Sequence, residues 1–186
     1  MSLTTQEQQT LLTLARETIA QTVNRREPPS VDVNTVSENL QREGASFVTL
    51  TRHEQLRGCI GSLEPRRPLV LDVQENAIGA AFHDPRFPPV SQEELDDLHI
   101  EISVLSAPQP LSYDGADDLI AKLRPGVDGV VIERGWNRAT FLPQVWEKLP
   151  DPHQFLGHLC LKARLPADAY RHPGLDVYVY QVEKFQ

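Results

Sequence analysis

Two stretches of the chain repeat the same order of structural signals, and this repetition constrains the fold more than any other sequence feature. Each stretch has two short runs of strand-forming residues around a turn, then helical signals, then a closing strand. The first covers about residues 44–107 and the second about 126–186, after an amphipathic helix over residues 5–24. We therefore expect one α+β domain over residues 1–186, built from two pseudo-repeats in two lobes, each with three strands and two helices.

The first stretch begins with a predicted β-hairpin. Residues 47–51 and 56–60 have strand character and flank a turn. Residues 69–82 place their apolar side chains on one helical face, which predicts a helix with a buried side. A short capped helix is predicted to start at Ser91, and residues 99–105 then alternate polar with apolar residues, as a half-buried strand does.

The second stretch carries the same signals with different residues. Residues 130–132 and 139–142 flank a glycine-containing turn, which predicts a second hairpin. Asp151-Pro152 is a typical helix start, because the aspartate caps the helix and proline suits its first position. Residues 177–185 are predicted to end the chain as a strand.

The charge balance and the composition narrow the classes of partner. Acidic residues number 26 and basic residues 18, so the net charge of −8 opposes binding to nucleic acid and to anionic lipid. The sequence has no apolar run of about 18 residues and no signal-peptide pattern, so we expect a cytoplasmic protein that does not associate with membranes. In the cytoplasm, Cys59 and Cys160 are expected to be reduced thiols.

Five sequence blocks resemble the signature blocks of the AMMECR family, in the order in which the family has them. The blocks are the hexapeptide at residues 56–61, followed by residues 80–90, 102–106, 140–145 and 155–163. They span most of the chain from Gly44 to Phe185. One departure is Arg164, where the family usually has glycine, a residue that ends helices in the left-handed conformation.

The resemblance implies a fold and candidate partners, but no reaction. The fold that it implies has two repeats around a barrel-like, mainly antiparallel sheet. It also implies a frequent genomic association with a radical-SAM protein and a Memo-like protein, and members in that setting are called AmmeMemoRadiSam system protein A. The family carries no settled biochemical activity.

The segment 56–61, Leu-Arg-Gly-Cys-Ile-Gly, is the sharpest candidate for a functional site. In a regular strand Leu56 and Ile60 face the core, so Arg57 and Cys59 share the opposite face. A guanidinium group beside a thiol stabilises the thiolate, which makes the cysteine a nucleophile. We therefore predict Cys59 as a catalytic residue and Arg57 as a binding residue. The alternative is that Cys59 is a small, inert core residue.

Gly58 and Gly61 are also predicted to belong to the binding site. Glycine weakens a strand unless a ligand or another backbone segment approaches it closely. The alternative is that both glycines let the predicted helix over residues 69–82 pack tightly against the strand.

Residues 82–90 form a second candidate segment, because its prolines stiffen the backbone that presents three polar side chains. We predict His83 as a catalytic residue that acts as a general base for Cys59, provided that the two side chains lie within hydrogen-bonding distance. Asp84 and Arg86 are predicted as binding residues. The alternative is that Asp84 pairs with Arg86 or caps a turn.

No pattern typical of a metal or cofactor site occurs in the sequence. Cys-x-x-Cys, His-Glu-x-x-His and a glycine-rich phosphate loop are all missing from it. His153 and His158 lie on different sides of a predicted helix, so they cannot bind one ion together. We therefore expect no metal and no cofactor. Cys160 shares a helical face with apolar residues, which indicates a buried, inert thiol.

Two functional hypotheses follow from the segment 56–61. The chain could be an enzyme, or an enzyme component, that acts on a small molecule or a modified side chain through a cleft lined by this segment. The alternative is a non-catalytic binding or adaptor module for a radical-SAM or Memo-like partner protein. The reactivity of Cys59 towards alkylating reagents distinguishes them, because only the first requires an activated thiol.

Overall fold

The computed structural model describes residues 2–186, which form two compact units. One unit contains the chain up to Ser106 together with Glu183–Gln186, and the other contains Ala107–Val182. The helices are α1 (Thr5–Val23), α2 (Glu38–Gln41), α3 (Leu69–Ile78), α4 (Gly115–Lys122) and α5 (Pro152–Lys162). The strands are β1 (Glu43–Arg52), β2 (Gln55–Gly61), β3 (Arg67–Pro68), β4 (Leu98–Leu105), β5 (Gln109–Pro110), β6 (Gly129–Arg134), β7 (Asn137–Phe141), β8 (Asp176–Tyr180) and β9 (Val182–Phe185).

Shorter turns complete the secondary structure. A π-helical turn, Gly79–His83, continues α3. The 3₁₀ turns are Val33–Thr35, Gln92–Asp97, Pro143–Glu147 and Ala169–Arg171.

The sheet of the first unit has β2 at its edge. Its strand order is β2, β1, β4, β9, and β3 pairs with the start of β1. The neighbours of β1 run antiparallel to it. α3 packs on β1, and α1 packs on α3. The apolar core therefore lies between these helices and one face of the sheet.

The first helix starts where its capping box predicts. The side chain of Thr4 accepts a hydrogen bond from the backbone N–H of Glu7, and the Glu7 carboxylate accepts one from the N–H of Thr4. Three apolar side chains at helical spacing, Leu11, Ala15 and Ile19, are fully or almost fully buried. This face attaches α1 to the core of the first unit.

A buried carboxylate, Asp72 on α3, fixes the first hairpin against the helix. It accepts hydrogen bonds from the backbone N–H and the hydroxyl of Ser46 on β1, at 2.9 and 2.7 Å. It also accepts from the hydroxyl of Ser62, just after β2, at 2.8 Å, and from the amide of Asn76 at 2.9 Å. Because a buried carboxylate without partners is costly, these bonds set the position of both strands relative to α3.

The second unit has a four-stranded sheet in the order β5, β8, β6, β7. α5 begins as predicted, because the Asp151 carboxylate accepts a hydrogen bond from the N–H of Gln154 and Pro152 is the first helical residue. Phe155 on α5 is fully buried, and its ring stacks on that of Trp146 at a centroid distance of 3.7 Å. These rings form the centre of the core of the second unit.

The structure confirms the α+β class and both predicted hairpins, β1–β2 and β6–β7. Neither sheet is closed within residues 2–186, whereas the resemblance implied a barrel-like sheet. The predicted strand over residues 177–185 is divided at Gln181, and β8 and β9 belong to different sheets. α4 was not predicted, because eight residues are too few to give a clear helical pattern.

Candidate functional site

A β-bulge interrupts the hairpin at the candidate segment. Leu50 pairs with Gly58, but the next residue, Thr51, pairs with Leu56, so Arg57 is the extra residue in β2. Directly opposed residues have their side chains on the same face of a sheet. The bulge therefore reverses the alternation of the strand, and Leu56 shares the face of Thr51 instead of that of Gly58.

The predicted burial of Leu56 is wrong for this reason. The residue is 44% exposed, although the side chain of Ile60, beyond the bulge, packs against the core. The regular alternation that we assumed from the sequence holds only from Gly58 onward. Leu56 and Cys59 therefore lie on the same outer face of the sheet, since Thr51 and Thr49 are their partners on β1.

Cys59 is partly buried and is held through its backbone. The hydroxyl of Thr49 lies 3.4 Å from its Sγ atom. Its backbone N–H donates to Oδ2 of Asp84 at 2.9 Å, and its carbonyl oxygen accepts from Nη2 of Arg86 at 3.3 Å. The pair Asp84 and Arg86 therefore occupies the hydrogen-bonding groups of Cys59 at the open edge of β2.

The carboxylate of Asp84 is buried and strongly paired. Arg86 donates to it from Nε at 2.9 Å, from Nη2 at 2.6 Å and from its backbone N–H at 3.1 Å. These bonds, led by that from the guanidinium group, hold the pKa of Asp84 well below its usual value. The pairing with Arg86 is the alternative that the sequence left open, and the bond to Cys59 is an additional contact that it did not indicate.

Arg57 forms a two-bond ion pair with Glu94. Its Nε and Nη2 atoms donate to the two carboxylate oxygens at 2.7 and 3.0 Å. The hydrogen bond from Arg57 lowers the pKa of Glu94 to about 2. The Arg57 side chain is only 12% exposed, and its Nη1 atom is buried without a hydrogen-bond partner among residues 2–186. The guanidinium group is therefore held by the protein itself.

Phe87 connects the two arginines. The guanidinium carbon of Arg57 lies 6.0 Å from the centroid of its ring, and that of Arg86 lies 5.5 Å from it. Both distances are in the range of cation–π contacts. The sequence did not single out Phe87 or Glu94 as site residues, because they lie about 30 and 37 residues from Arg57 and no local pattern indicates such a pairing.

The two glycines of the segment meet different neighbours. A Cβ atom on Gly58 would lie 2.1 Å from the carbonyl oxygen of Ala80 in the π-helical turn. A Cβ atom on Gly61 would lie 2.3 Å from the ring of Phe47 and 2.5 Å from the carbonyl oxygen of Ser46. For Gly58, the close approach is the tight helix packing that the sequence left open as an alternative.

His83 ends the π-helical turn with its side chain exposed. No hydrogen bond joins its imidazole ring to Cys59 or to any other residue in the described part of the chain. The structure thus joins four predicted site residues, Arg57, Cys59, Asp84 and Arg86, through Phe87 and backbone contacts, while His83 stays outside this network. π-helical turns and β-bulges both occur often at functional sites, and here Ala80 of the π-helical turn packs against Gly58, next to the bulge.

Comparisons with known proteins identify the family. The sequence profile of the AMMECR1 family matches residues 12–185. The chain belongs to the AMMECR1 family. A protein from Methanothermobacter thermautotrophicus is 48% identical over 146 residues, which are 78% of this chain and 76% of that protein. Protein MJ0810 of Methanocaldococcus jannaschii is 37% identical over 161 residues, which are 83% of this chain and 78% of that protein.

A solved structure has the same fold. The crystal structure of the uncharacterized protein PH0010 from Pyrococcus horikoshii matches with a TM-score of 0.74 and 34% identity, covering 94% of this chain and 88% of that one. None of these three names states an activity. The comparisons therefore confirm the resemblance to the AMMECR family at the level of family and fold.

Cavities among residues 2–186 include three that lie outside the segment 56–61. Three cavities of about 690, 430 and 350 Å³ are lined by other segments, and none of the three includes a residue of β2. Across residues 2–186, no group of three or more potential ligand side chains is placed to hold a metal ion. In the same residues, no helix has both the length and the apolar character needed to cross a bilayer.

Proposed function

We propose that the outer face of β2 in this AMMECR1 domain, with Leu56, Cys59, Arg86 and Phe87, is a docking surface for a partner protein. This motif surface carries an exposed leucine that the bulge turns away from the core. That exposure is the observation on which the proposal rests. Arginine and aromatic side chains are enriched at protein interfaces, and the exposed leucine beside them offers apolar area that a partner can bury.

The charges around the motif surface favour docking over catalysis. Arg57 is bound to Glu94, and Asp84 is bound to Arg86 and to the backbone of Cys59. A substrate would have to compete with these charged partners for Arg57 and Asp84, and breaking a nearly buried ion pair is costly. In this protein the two ion pairs hold the side chains of the surface in one conformation. A partner that binds there therefore causes a smaller loss of conformational entropy.

The same contacts indicate how a partner would bind. An exposed strand edge can accept a strand from another protein through its free backbone groups. At Cys59 those groups already bind Asp84 and Arg86. The partner therefore contacts side chains on the outer face of β2 and does not extend the sheet at this residue. The radical-SAM and Memo-like proteins implied by the family resemblance are the partners that we propose.

Co-purification with each of these proteins tests the docking surface. Leu56→Ser removes the exposed apolar contact, and Leu161→Ser is the matched control, because Leu161 is 56% exposed on α5 in the second unit. We expect Leu56→Ser to weaken the complex about tenfold or more and Leu161→Ser to leave it unchanged. Cys59→Ser keeps the shape of the surface and should retain the complex. Equal retention of Leu56→Ser and the wild type would refute the proposal.

A second candidate function is chemistry at Cys59 on a small molecule, favoured by the partial exposure of this residue. Iodoacetamide labelling over a range of pH values tests this function. A rate at neutral pH far above that of free cysteine would support catalysis by Cys59. A rate equal to or below that of free cysteine would leave only the docking function.

A further inference from the structure

The largest of the three cavities lies in the second unit and shares no residue with the motif surface. It has a volume of about 690 Å³ and is formed by residues 110–115 and 170–178. This volume is in the range of small-molecule sites, which are generally a few hundred to about 1,000 Å³. No sequence pattern indicated a site here, because the two segments are about 60 residues apart.

One arginine holds the second of these segments in place. Arg134 on β6 donates from Nη2 to the carbonyl oxygen of Ala169 at 2.9 Å and from Nε to that of Gly174 at 3.2 Å. The hydroxyl of Tyr113 donates to the carbonyl oxygen of Leu175 at 2.6 Å and so connects the two segments. The walls of the cavity are therefore fixed before any ligand binds, which favours affinity.

The basic side chains that line the cavity, those of Arg171 and His172, already have partners in the protein. Nε of Arg171 donates to the hydroxyl of Tyr170 at 3.2 Å, and its guanidinium carbon lies 5.4 Å from the centre of the Tyr170 ring. His172 lies 3.2 Å from a carboxylate oxygen of Asp168. These contacts hold the guanidinium group of Arg171 against Tyr170 and pair His172 with a carboxylate.

The two acidic side chains that line the cavity have no hydrogen-bonding or ion-pair partner among residues 2–186. The carboxylates of Asp114 and Asp176 form no hydrogen bond or ion pair with any residue between 2 and 186, and both residues are exposed. Tyr178 is two residues from Asp176 on β8, so the two side chains share a face of the strand. The uncommitted groups of the cavity are thus carboxylates and tyrosine rings.

We propose that this cavity binds an organic cation, with an alkylammonium or guanidinium group held between Asp114 and Asp176 and against the rings of Tyr113 and Tyr178. Aromatic faces attract such cations, and nearby carboxylates add to that attraction. The contact of Arg171 with Tyr170 is an example of the same pairing within the cavity. The cation can belong to a free small molecule or to an arginine or lysine side chain of another protein, since both carry the same group.

Calorimetric titration of the whole chain with arginine amide tests the proposal. Citrulline amide has nearly the same shape without the guanidinium charge and is the matched ligand; both amides are used as Nα-acetyl derivatives, so that neither carries an α-ammonium group. We expect one arginine amide per chain and binding of citrulline amide that is weaker by about tenfold. Asp176→Asn should weaken the binding of arginine amide to a similar degree, whereas Asp117→Asn, outside the cavity lining, should not.

Two further ligands distinguish the possible sources of the cation, and a second variant replaces Asp176→Asn if that variant does not fold. Agmatine represents a free small molecule, and the amide of Gly-Arg-Gly represents a protein side chain. A preference for either one supports the proposal and assigns the source. If Asp176→Asn does not fold, Tyr178→Leu, which removes one ring, should weaken binding by about fivefold. No binding of any cation, or equal binding of arginine amide and citrulline amide, would overturn the proposal.

Discussion

The two β-hairpins of this AMMECR1 domain have turns of equal length but very different backbones. β6 and β7 pair without a register shift around Gly135-Trp136, and the glycine takes the positive φ of 60° that the turn requires. β1 and β2 turn through His53-Glu54, where both residues have positive φ values of 49° and 62°. Two-residue turns of this second kind strongly favour Asn-Gly.

The difference continues along the strands. β2 has a bulge at Arg57, and the carbonyl oxygen of Ala80 presses against Gly58. No comparable register shift occurs between β6 and β7. Unfavourable backbone conformations persist where the surrounding structure holds them, and they concentrate at functional sites. The comparison therefore supports a function for the first hairpin and a mainly structural role for the second.

The largest expected effect of a substitution is at Gly58. Gly58→Ala places a methyl group 2.1 Å from a backbone carbonyl oxygen, which cannot move away as a side chain could. We expect a loss of about 3 kcal/mol in the free energy of unfolding, measured by urea denaturation. In the second hairpin, the new Cβ atom of Gly135→Ala meets no atom within 4 Å, so the only cost is that of the positive φ. We expect this variant to lose about 1 kcal/mol in the free energy of unfolding. Equal losses would contradict the comparison.

The second prediction concerns the ion pairs of the two hairpins at neutral pH. Glu94→Gln leaves the nearly buried Arg57 without its charged partner and should lower the free energy of unfolding by on the order of 2 kcal/mol. Glu133→Gln breaks the more exposed pair with Arg138 and should lower it by less than about 1 kcal/mol. If the two variants lose the same stability, Arg57 is not held as tightly as its contacts indicate.

The stabilisation from the ion pair of Arg57 with Glu94 depends on pH, because the pKa of Glu94 is lowered in the folded protein. A folded pKa of about 2, below the ordinary value of 4.5, means that the stabilisation is complete above about pH 4.5 and is lost as the pH falls towards 2. Urea denaturation from pH 5 to pH 2 should therefore show a shallower decrease for Glu94→Gln than for the wild type. If the free energy of unfolding of Glu94→Gln falls with pH as steeply as that of the wild type, Glu94 does not contribute to the pH dependence of stability.

Much of the fold and several residues of the candidate site, but not the geometry of that site, could be predicted from the sequence. The hairpins and the start of α5 were predictable because their signals are local, as at Asp151-Pro152. The position of Leu56 was not, because a bulge depends on contacts that hold the strand and has no reliable local signal. The pairing of Arg57 with Glu94 was also missed, since Glu94 had a sufficient local role in capping the turn that follows Ser91.

The smallest expected effect is at the turn of the first hairpin. Glu54→Gly places glycine where the backbone has a φ of 62°, a conformation that costs other residues about 1 kcal/mol. The variant should gain up to that amount in the free energy of unfolding. Arg164→Gly, at a φ of 60° after α5, is a matched change outside the hairpin and should gain a similar amount. A loss at Glu54 alone would show that its side chain stabilises the turn.

Alkylation of Cys59 in the presence of a bound partner tests the docking surface most directly. Cys59 is partly exposed, and the fully buried Cys160 is an internal control in the same chain. With a saturating radical-SAM or Memo-like partner, iodoacetamide should modify Cys59 several times more slowly, while Cys160 stays unmodified with and without the partner. An unchanged rate at Cys59 in a fully formed complex would show that the partner binds elsewhere.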